Sequence, residues 1–451
     1  PLPAHKGEKA EPRRAPDAEV GDAPLLSYDE GYVSEMTQLI ALAKQVKRRL
    51  GKLAKPKPFV SKTRRIERVA TTERICAMTF DDGPYDLPCE PDSFGGRSLT
   101  DVLLDTLAAY GAHGTFDVIG DTGENYPDTC GDAGTPAWGG VKFDHYPAYG
   151  KDAQGGAVHG GRLIRRMLDE GHQITNHGYR HLLFGKKAWV YGKRTTLDGA
   201  DAVLADLSRL DSLMKEQYGY AMTMARPPHY VDNIRGGYTS YDVYDALGYA
   251  YMAASFDGAG WLPGATLEDE ISAMVEPMRR ALEADPDVFC GQIIFQKDGC
   301  NMLHRTPVAF ALPQQLELLK SYGYRVVSVE ELTAHSMFAD LLPTHPLYAK
   351  LAALAKEKPV AYSDNTVKLG RAMTNLEFAH LVAPAPKTVM TQRQKDEAAV
   401  GYAIANGLLP SPPHRHAPLR LPLTPAAARL FAAQPKSALR ADVFAALRAN
   451  G

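Results

Sequence analysis

The chain has 451 residues, of which 45% are apolar and 23% are charged, and its formal net charge is −2. This length exceeds one average domain, so we expect about two or three units in a soluble globular protein. The near-neutral charge gives no electrostatic reason to expect a nucleic-acid partner. No apolar stretch reaches the roughly 20 residues that a membrane-spanning helix needs.

The first 70 residues are predicted to form a linker and one amphipathic helix. Residues 1–25 are rich in charge and proline, which is typical of a flexible segment. Residues 28–54 show helical spacing of apolar side chains, and basic side chains cluster over 44–57. The chain begins PLP without an initiator Met, so we expect that a leader or upstream segment has been removed. We assign residues 1–70 to a linker and helix that join an anchor to the rest of the chain.

The sequence TFDDGP, residues 79–84, carries two adjacent carboxylates at the end of a predicted strand. The apolar run 75–80 has the length and content of a buried strand, and Asp81 and Asp82 come at its end. Since α/β folds place their chemistry at the carboxyl ends of strands, this arrangement predicts a functional site. A solvated acidic turn is the alternative interpretation.

A second apolar segment, residues 172–175, is followed by His177 and His181. Their spacing of four predicts one face of a helical turn, where two imidazoles can share a metal ion. With Asp82 they predict a site of two histidines and one carboxylate that keeps positions for water and substrate. The alternative is one solvated and one packed histidine, but the position of each group after a strand-like run favours the metal.

These motifs resemble those of the NodB-type polysaccharide deacetylases, which are metal-dependent hydrolases that remove N- or O-acetyl groups from sugars. TFDDGP is similar to the first motif of that family, and the histidine pair is similar to the second. Residues 226–230, RPPHY, resemble the third motif, and residues 257–261, DGAGW, match the fourth in part. Residues 114–120 look like the second core strand of the family. The resemblance covers residues 71–338 and implies an α/β fold, a distorted (β/α) barrel.

The resemblance also implies a role for individual side chains. The ligands of a divalent metal, with Zn first and Co, Ni or Mn as alternatives, would be Asp82, His177 and His181. Asp81 would act as the general base, and Arg226 would orient Asp81 and keep it ionised. Asp257 would hold Arg226 in place, although a purely structural ion pair is the alternative for these two residues.

Four further residues are assigned to the substrate side. The backbone N–H of His229 would stabilise the oxyanion, although His229 replaces the tyrosine of the third motif and Tyr230 follows it. Trp261 would pack against a sugar face, or it belongs to the core. With His304, these residues form the predicted substrate-binding group.

The chain departs from the family at the fifth motif, where a strand ends in Leu-x-His and the histidine is the general acid. The corresponding strand is residues 291–299, and Lys297 falls at the histidine position. Three interpretations stay open: Lys297 donates the proton, His304 or His229 donates it, or the enzyme is slow or inert on the usual substrates. Gly260 also replaces the second Asp of the fourth motif.

Two Gly- and Pro-rich segments, residues 85–97 and 121–161, are predicted loops that line a substrate cleft or pack on themselves. If the protein is exported, a disulfide could join Cys89 to Cys130 or Cys290 to Cys300.

Residues 339–451 are predicted to form a small all-α region. Two units with a period of 50 each read helix, loop, helix, and Thr374 and Thr424 each precede an apolar helix. They resemble S-layer-homology modules, which bind polymers of the bacterial cell wall. A plain helical accessory domain is the alternative.

The predicted function is therefore hydrolysis of acetyl groups on a cell-wall or other polysaccharide by an extracellular or wall-associated metalloenzyme. The expected partners are a polysaccharide or oligosaccharide substrate and, through the C-terminal region, a wall polymer. One alternative is hydrolysis of a small amide, and another is a carbohydrate-binding wall protein with impaired turnover.

Overall fold

The structure is a computed structural model that describes residues 41, 58–86, 88–89, 93–121, 155–185, 196–301, 305–421 and 424–448. The predicted N-terminal linker and helix lie outside the described residues, except for Ala41 and the residues from 58 onward. His304, Cys130 and most of the predicted loop 121–161 also lie outside them.

A nine-stranded sheet forms the centre of the fold, and its strand pairings are parallel. Its strands are β1 (Arg65–Ile66), β2 (Ile75–Asp81), β3 (Thr115–Val118), β4 (Gln173–Asn176), β5 (Met224–Ala225), β8 (Ala250–Met252), β9 (Phe256–Asp257), β10 (Ile293–Lys297) and β11 (Arg325–Val327). The spatial order is β1-β8-β5-β4-β3-β2-β10-β9, and β11 lies beside the first residues of β2. A separate antiparallel hairpin consists of β6 (Asn233–Ile234) and β7 (Tyr238–Thr239).

The sheet is open at one point, because no pairing between β1 and β9 occurs in the described part of the chain. Helices follow most of its strands, as expected for parallel strands that need crossover connections. The predicted α/β fold, a distorted (β/α) barrel, is confirmed.

Strand β2 is an interior strand of the sheet, and the site lies at its carboxyl end. All seven of its residues are buried, as the apolar run predicts. Its register sets Asp81 beside Asp117 of β3 on one side and beside Lys297 of β10 on the other. Because the strands are parallel, their polar carboxyl ends meet at one edge of the sheet.

The helices around the sheet are α1 (Leu99–Ala109), α2 (Gly156–His159), α3 (Gly161–Asp169), α4 (Ala200–Tyr218), α5 (Ser240–Leu247), α6 (Leu267–Ala284), α7 (Val308–Ser321) and α8 (Val329–His335). Helix α7, which follows β10, begins at Val308 and ends at Ser321. Pro313 therefore lies inside the helix, where its missing N–H removes one backbone hydrogen bond.

The C-terminal region is helical, as predicted. It contains α9 (Tyr348–Leu354), α10 (Asn375–Val382), α11 (Gln392–Ala405), α12 (Pro425–Leu430) and α13 (Arg440–Ala446). The side chains of Thr374 and Thr424 cap α10 and α12 by accepting backbone N–H groups. A hydrophobic cluster of its own, which runs from Phe338 to Leu447, fills this region. The boundary at residue 339 and the binding of a wall polymer stay predictions.

Buried polar contacts join the C-terminal region to the sheet domain. The Lys395 ammonium of α11 lies 3.1 Å from Asp242 Oδ1 and 3.0 Å from Asp245 Oδ2, both on α5. The Arg64 guanidinium donates a 2.8 Å hydrogen bond to Asn365 Oδ1. A charge that is taken out of water needs such partners, so these contacts hold the two parts in one arrangement.

The structure bears on the predicted disulfide between Cys290 and Cys300 and on membrane-spanning helices. Cys290 and Cys300 lie at opposite ends of β10, and no disulfide joins them. Among the described helices, none has the length and apolar content to cross a membrane.

Candidate metal centre and active site

The site lies at the carboxyl edge of the sheet, where β2 ends in Asp81 and the chain turns. Asp82 has a φ of +81°, in the left-handed region that is uncommon for residues other than glycine. His181 and His229 also have positive φ, 53° each. Such backbone conformations cluster at functional sites because the surrounding fold has to hold them.

Asp82 and the two predicted histidines converge on one point. Asp82 Oδ1 lies 3.1 Å from His177 Nε2 and 3.0 Å from His181 Nε2. The two imidazole rings are 5.0 Å apart between centroids, and both histidines are 2% exposed. One ligand atom from each of the three residues lies within 4.8 Å of the others. The structure thus brings the predicted metal ligands together.

The donor set fits a divalent metal such as Zn. Two imidazole nitrogens and one carboxylate oxygen are ligands that Zn, Co and Ni accept, with positions left for water. His177 Nδ1 lies 2.8 Å from the carbonyl oxygen of Arg226, so this edge of the ring is engaged and Nε2 faces Asp82. A metal-binding histidine usually carries such a partner on its second nitrogen.

The predicted helical turn between His177 and His181 is wrong, because these residues form an irregular loop. Gly178 has a φ of +86°, which a helix does not allow. Asp206 of α4 accepts hydrogen bonds from the Tyr179 backbone N–H at 2.8 Å and from Arg180 Nε at 2.8 Å. The histidines meet because tertiary contacts shape this loop.

Asp81 is buried and forms an ion pair with the fully buried Arg226. Arg226 Nη1 also donates a 3.0 Å hydrogen bond to Thr79 Oγ1. Burial raises the pKa of Asp81 to about 7, although Arg226 and His177 oppose this change. The predicted contact between Arg226 and Asp81 is present, and the guanidinium lowers the pKa of Asp81 against the larger effect of burial.

The pKa values of two candidate ligands, Asp82 and His177, are set by the charged groups beside them. Burial would raise the pKa of Asp82, but Lys297 and His181 hold it well below its usual value. Burial would lower the pKa of His177, but Asp117 and Asp82 raise it well above its usual value.

The expected contact between Asp257 and Arg226 is wrong. Both residues are described, and no ion pair joins them. Asp257 is exposed at the end of β9 and accepts a 2.8 Å hydrogen bond from the Ala259 N–H. Trp261 Nε1 donates to the same carboxylate at 3.2 Å. Asp257 therefore fixes the turn that carries Trp261, because its short side chain binds its own loop before it can reach Arg226.

Lys297 lies at the site, as its position in the predicted fifth motif implies. It is buried, and its ammonium forms an ion pair with Asp82 Oδ2. Of the other two proton-donor candidates, His229 has its ring 5.3 Å from the ring of His181, and His304 lies outside the described residues.

The ring of Tyr230 lies next to Arg226, the partner of Asp81 in the ion pair. The guanidinium carbons of Arg226 and Arg65 are 5.4 Å and 5.6 Å from the centre of its ring. Burial raises the pKa of the Tyr230 hydroxyl above its usual value, so the side chain stays neutral. These contacts make Tyr230 a packing partner of the buried arginine as well as a predicted substrate residue.

Sequence reasoning missed two buried carboxyl groups at this edge. Asp117 of β3 is fully buried, and its Oδ2 lies 2.7 Å from His177 Nδ1. Asp298 is also fully buried, lies 2.8 Å from Thr100 Oγ1, and burial raises its pKa to about 8. The available signal was an acidic residue within or directly after an otherwise apolar strand.

The comparisons with known proteins agree on one domain. The family model for polysaccharide deacetylase matches residues 68–235. The peptidoglycan-N-acetylglucosamine deacetylase PgdA of Listeria monocytogenes is 24% identical, over 61% of this chain and 42% of its own. A peptidoglycan-N-acetylglucosamine deacetylase of Bacillus cereus is 26% identical, over 58% of this chain and 90% of its own. The solved chitin deacetylase of Colletotrichum lindemuthianum is 20% identical and covers 63% of this chain and 94% of its own, with a TM-score of 0.41.

The matched part of the chain thus spans less than half of the Listeria relative. The family match includes TFDDGP, the histidine pair and the third motif, which supply the three convergent ligands, Asp81 and Arg226. Residues 68–235 are therefore similar to the polysaccharide deacetylase family in sequence and in the residues of this site.

Proposed function

We propose that this protein is a metal-dependent hydrolase that removes N- or O-acetyl groups from a cell-wall or other polysaccharide. The observation that carries this proposal is the convergence of Asp82, His177 and His181 beside Asp81, within a segment that matches the polysaccharide deacetylase family model. The names of the relatives favour an extracellular substrate in the cell wall.

The chemistry starts from water held next to Asp81. A divalent ion on the three ligands would lower the pKa of water and polarise a carbonyl group. Asp81 Oδ2 lies 3.9 Å from His177 Nε2, so Asp81 is close enough to accept a proton from water at this site. Arg226 holds the other oxygen of Asp81 and thereby orients the base. The water oxygen then forms a bond to the acetyl carbon.

The second half of the reaction breaks the bond between the acetyl carbon and the sugar nitrogen or oxygen. Acetate is released, and the leaving atom takes up a proton. We assign the donation of this proton to Lys297, whose ammonium is held at the site by Asp82. The backbone N–H of His229 is assigned to the oxygen that becomes negative during attack.

The substrate side of the site is assigned to Tyr230 and Trp261. Trp261 is partly exposed, and its ring is held by the hydrogen bond to Asp257. An exposed aromatic side chain in a fixed orientation offers a flat surface for a sugar ring. Asp257 thus acts on the substrate side through Trp261, and it has no contact with the base.

Metal analysis and acetate release test the proposal together. We expect one divalent ion per wild-type chain after loading, and a loss of this ion in His177→Ala. Wild-type protein should release acetate from peptidoglycan or chitooligosaccharide, whereas Asp81→Asn should keep the metal and lose most of kcat. Equal acetate release by the wild type and Asp81→Asn would remove Asp81 as the base.

A carbohydrate-binding protein with impaired turnover is a second candidate, because the Lys297 ammonium pairs with the metal-ligand carboxylate. This candidate predicts binding of chitooligosaccharide by the metal-loaded wild type without acetate release. Acetate release that depends on Asp81 would exclude it.

A further inference from the structure

Asp117 makes close contacts at the site, but no role has been assigned to it above. It lies on β3 directly beside Asp81 and is fully buried. Its Oδ1 accepts a 2.6 Å hydrogen bond from Thr175 Oγ1, and its Oδ2 lies 2.7 Å from His177 Nδ1. Burying a carboxylate is costly unless it is paired, and His177 offers Asp117 Oδ2 an ion-pair contact, while the hydrogen bond of Nδ1 is directed to the Arg226 carbonyl.

The surroundings of His177 determine which of its nitrogens carries hydrogen. Nδ1 faces two acceptors, Asp117 Oδ2 at 2.7 Å and the carbonyl oxygen of Arg226 at 2.8 Å. A nitrogen between two acceptors has to carry the hydrogen, because a lone pair there would face lone pairs. Nε2 faces an acceptor as well, Asp82 Oδ1 at 3.1 Å, so it also carries a hydrogen while no ion lies between the two atoms. A divalent ion held by Asp82 would replace this hydrogen and use the Nε2 lone pair, while Nδ1 keeps its hydrogen.

We propose that Asp117 is a positioning residue that fixes the tautomer and orientation of His177 and strengthens its donation to a divalent ion. This inference rests on the proposed metal site. A carbonyl oxygen alone could orient the ring, but the negative charge of Asp117 also makes the imidazole a stronger donor. Thr175 holds the carboxylate in turn, so β2, β3 and β4 together set the position of one ligand.

Asp117 could instead be a ligand itself, since Asp81, Asp117 and His177 also lie close enough to share an ion. If that ion used Nδ1, the nitrogen 2.7 Å from Asp117 Oδ2, it would need a lone pair there, whereas the ion on Asp82 and His181 needs the lone pair of Nε2. The two arrangements therefore differ in stoichiometry, with two ions per chain if both sites fill and one if Asp117 only positions His177.

The test is the affinity of the full chain for Zn²⁺, measured by competition with a chromophoric chelator, together with the visible spectrum of the Co²⁺-loaded protein. We expect Asp117→Asn to bind one ion about 10- to 100-fold more weakly and to change the Co²⁺ spectrum, which reports the ligand geometry. Thr175→Val, which keeps the carboxylate but removes its hydrogen bond, should weaken binding less. Glu270→Gln, at a buried carboxylate of α6 that pairs with Arg305, is the matched control and should bind like the wild type.

The outcomes separate this inference from the proposed function. Wild-type binding of one ion with an unchanged affinity and spectrum in Asp117→Asn would overturn the role of Asp117 alone. Two ions per wild-type chain, falling to one in Asp117→Asn, would make Asp117 a ligand and also overturn it. No stoichiometric ion in the wild type would overturn both proposals. If Asp117→Asn fails to fold by circular dichroism, Thr175→Val decides, and an affinity equal to that of the wild type counts against the inference.

Discussion

The ammonium of Lys297 forms an ion pair with the carboxylate of Asp82, across the parallel strands β10 and β2. Asp82 is therefore shared between an internal cation and the proposed metal site. Two positive charges close to one carboxylate repel each other, and the repulsion is strong where water is excluded. Lys297 thus connects the metal half of the proposed mechanism to the proton-donating half.

We expect Lys297→Met to bind Zn²⁺ more tightly than the wild type, by about 3- to 30-fold, because the competing charge is removed. The same variant should lose about 10²- to 10⁴-fold in kcat if Lys297 donates the proton to the leaving atom. Zn²⁺ affinity and acetate release measure the two effects separately. Lys297→Arg keeps the charge and serves as the control, so its Zn²⁺ affinity should not increase. Weaker Zn²⁺ binding by Lys297→Met would contradict the competition.

Arg226 and Asp81 form a second buried ion pair. The losses of unfolding free energy caused by replacing each of them should be strongly non-additive. Arg226→Met leaves the Asp81 carboxylate buried without its cation, which we expect to cost about 3–5 kcal/mol of unfolding free energy. Asp81→Asn leaves the fully buried Arg226 guanidinium, which stays charged, without its carboxylate, so we expect a loss of similar size. The double variant should lose less than the sum of the two single losses, since neither charge is left unpaired. Urea unfolding of the two single variants and the double variant measures this. Additive losses would show that the two side chains do not act as a pair.

The strand ends could be predicted from the sequence because their signals are local. An apolar run followed by Asp81 and Asp82 has few other readings, and the three ligands each come at or just after such a run. The path between His177 and His181 could not be predicted, because Asp206 of α4 holds that loop in an irregular form. Spacing alone suggested a helix where the positive φ of Gly178 excludes one.

Contacts between segments that are distant in the chain also could not be predicted from the sequence. The resemblance suggested that Asp257 holds Arg226, but the Ala259 N–H and Trp261 lie closer to Asp257 and take its carboxylate. The role of Asp117 depends on the register of β2 against β3, which no single strand reveals. The candidate ligands and the base could therefore be predicted from local sequence, whereas the residues that orient them could be identified only from the fold.

Gly83 should not tolerate a side chain. A Cβ atom added there would lie 1.9 Å from Asp298 Oδ2, and Asp298 is fully buried. We expect Gly83→Ala to lower the unfolding free energy by about 1–3 kcal/mol, since neither the backbone nor the buried carboxyl group can move away freely. Gly83→Ala should cost less unfolding free energy in the Asp298→Ser background than in the wild type, because the shorter side chain leaves room for the added methyl group. A loss of the same size in both backgrounds would show that the contact with Asp298 is not the cause.

His172 should make the protein less stable in mild acid. Its ring is buried, its Nδ1 accepts a 2.9 Å hydrogen bond from the Gly114 N–H, and burial lowers its pKa from 6.5 to about 4. Between these values the unfolded chain binds a proton that the folded chain refuses, so stability falls as the pH falls from 6.5 to about 4. The full effect of this group is roughly 3 kcal/mol and is absent above pH 6.5. His172→Asn keeps an acceptor but cannot titrate here, so its urea-unfolding free energy should fall less steeply over this range. Parallel pH profiles for the wild type and His172→Asn would exclude His172 as the source.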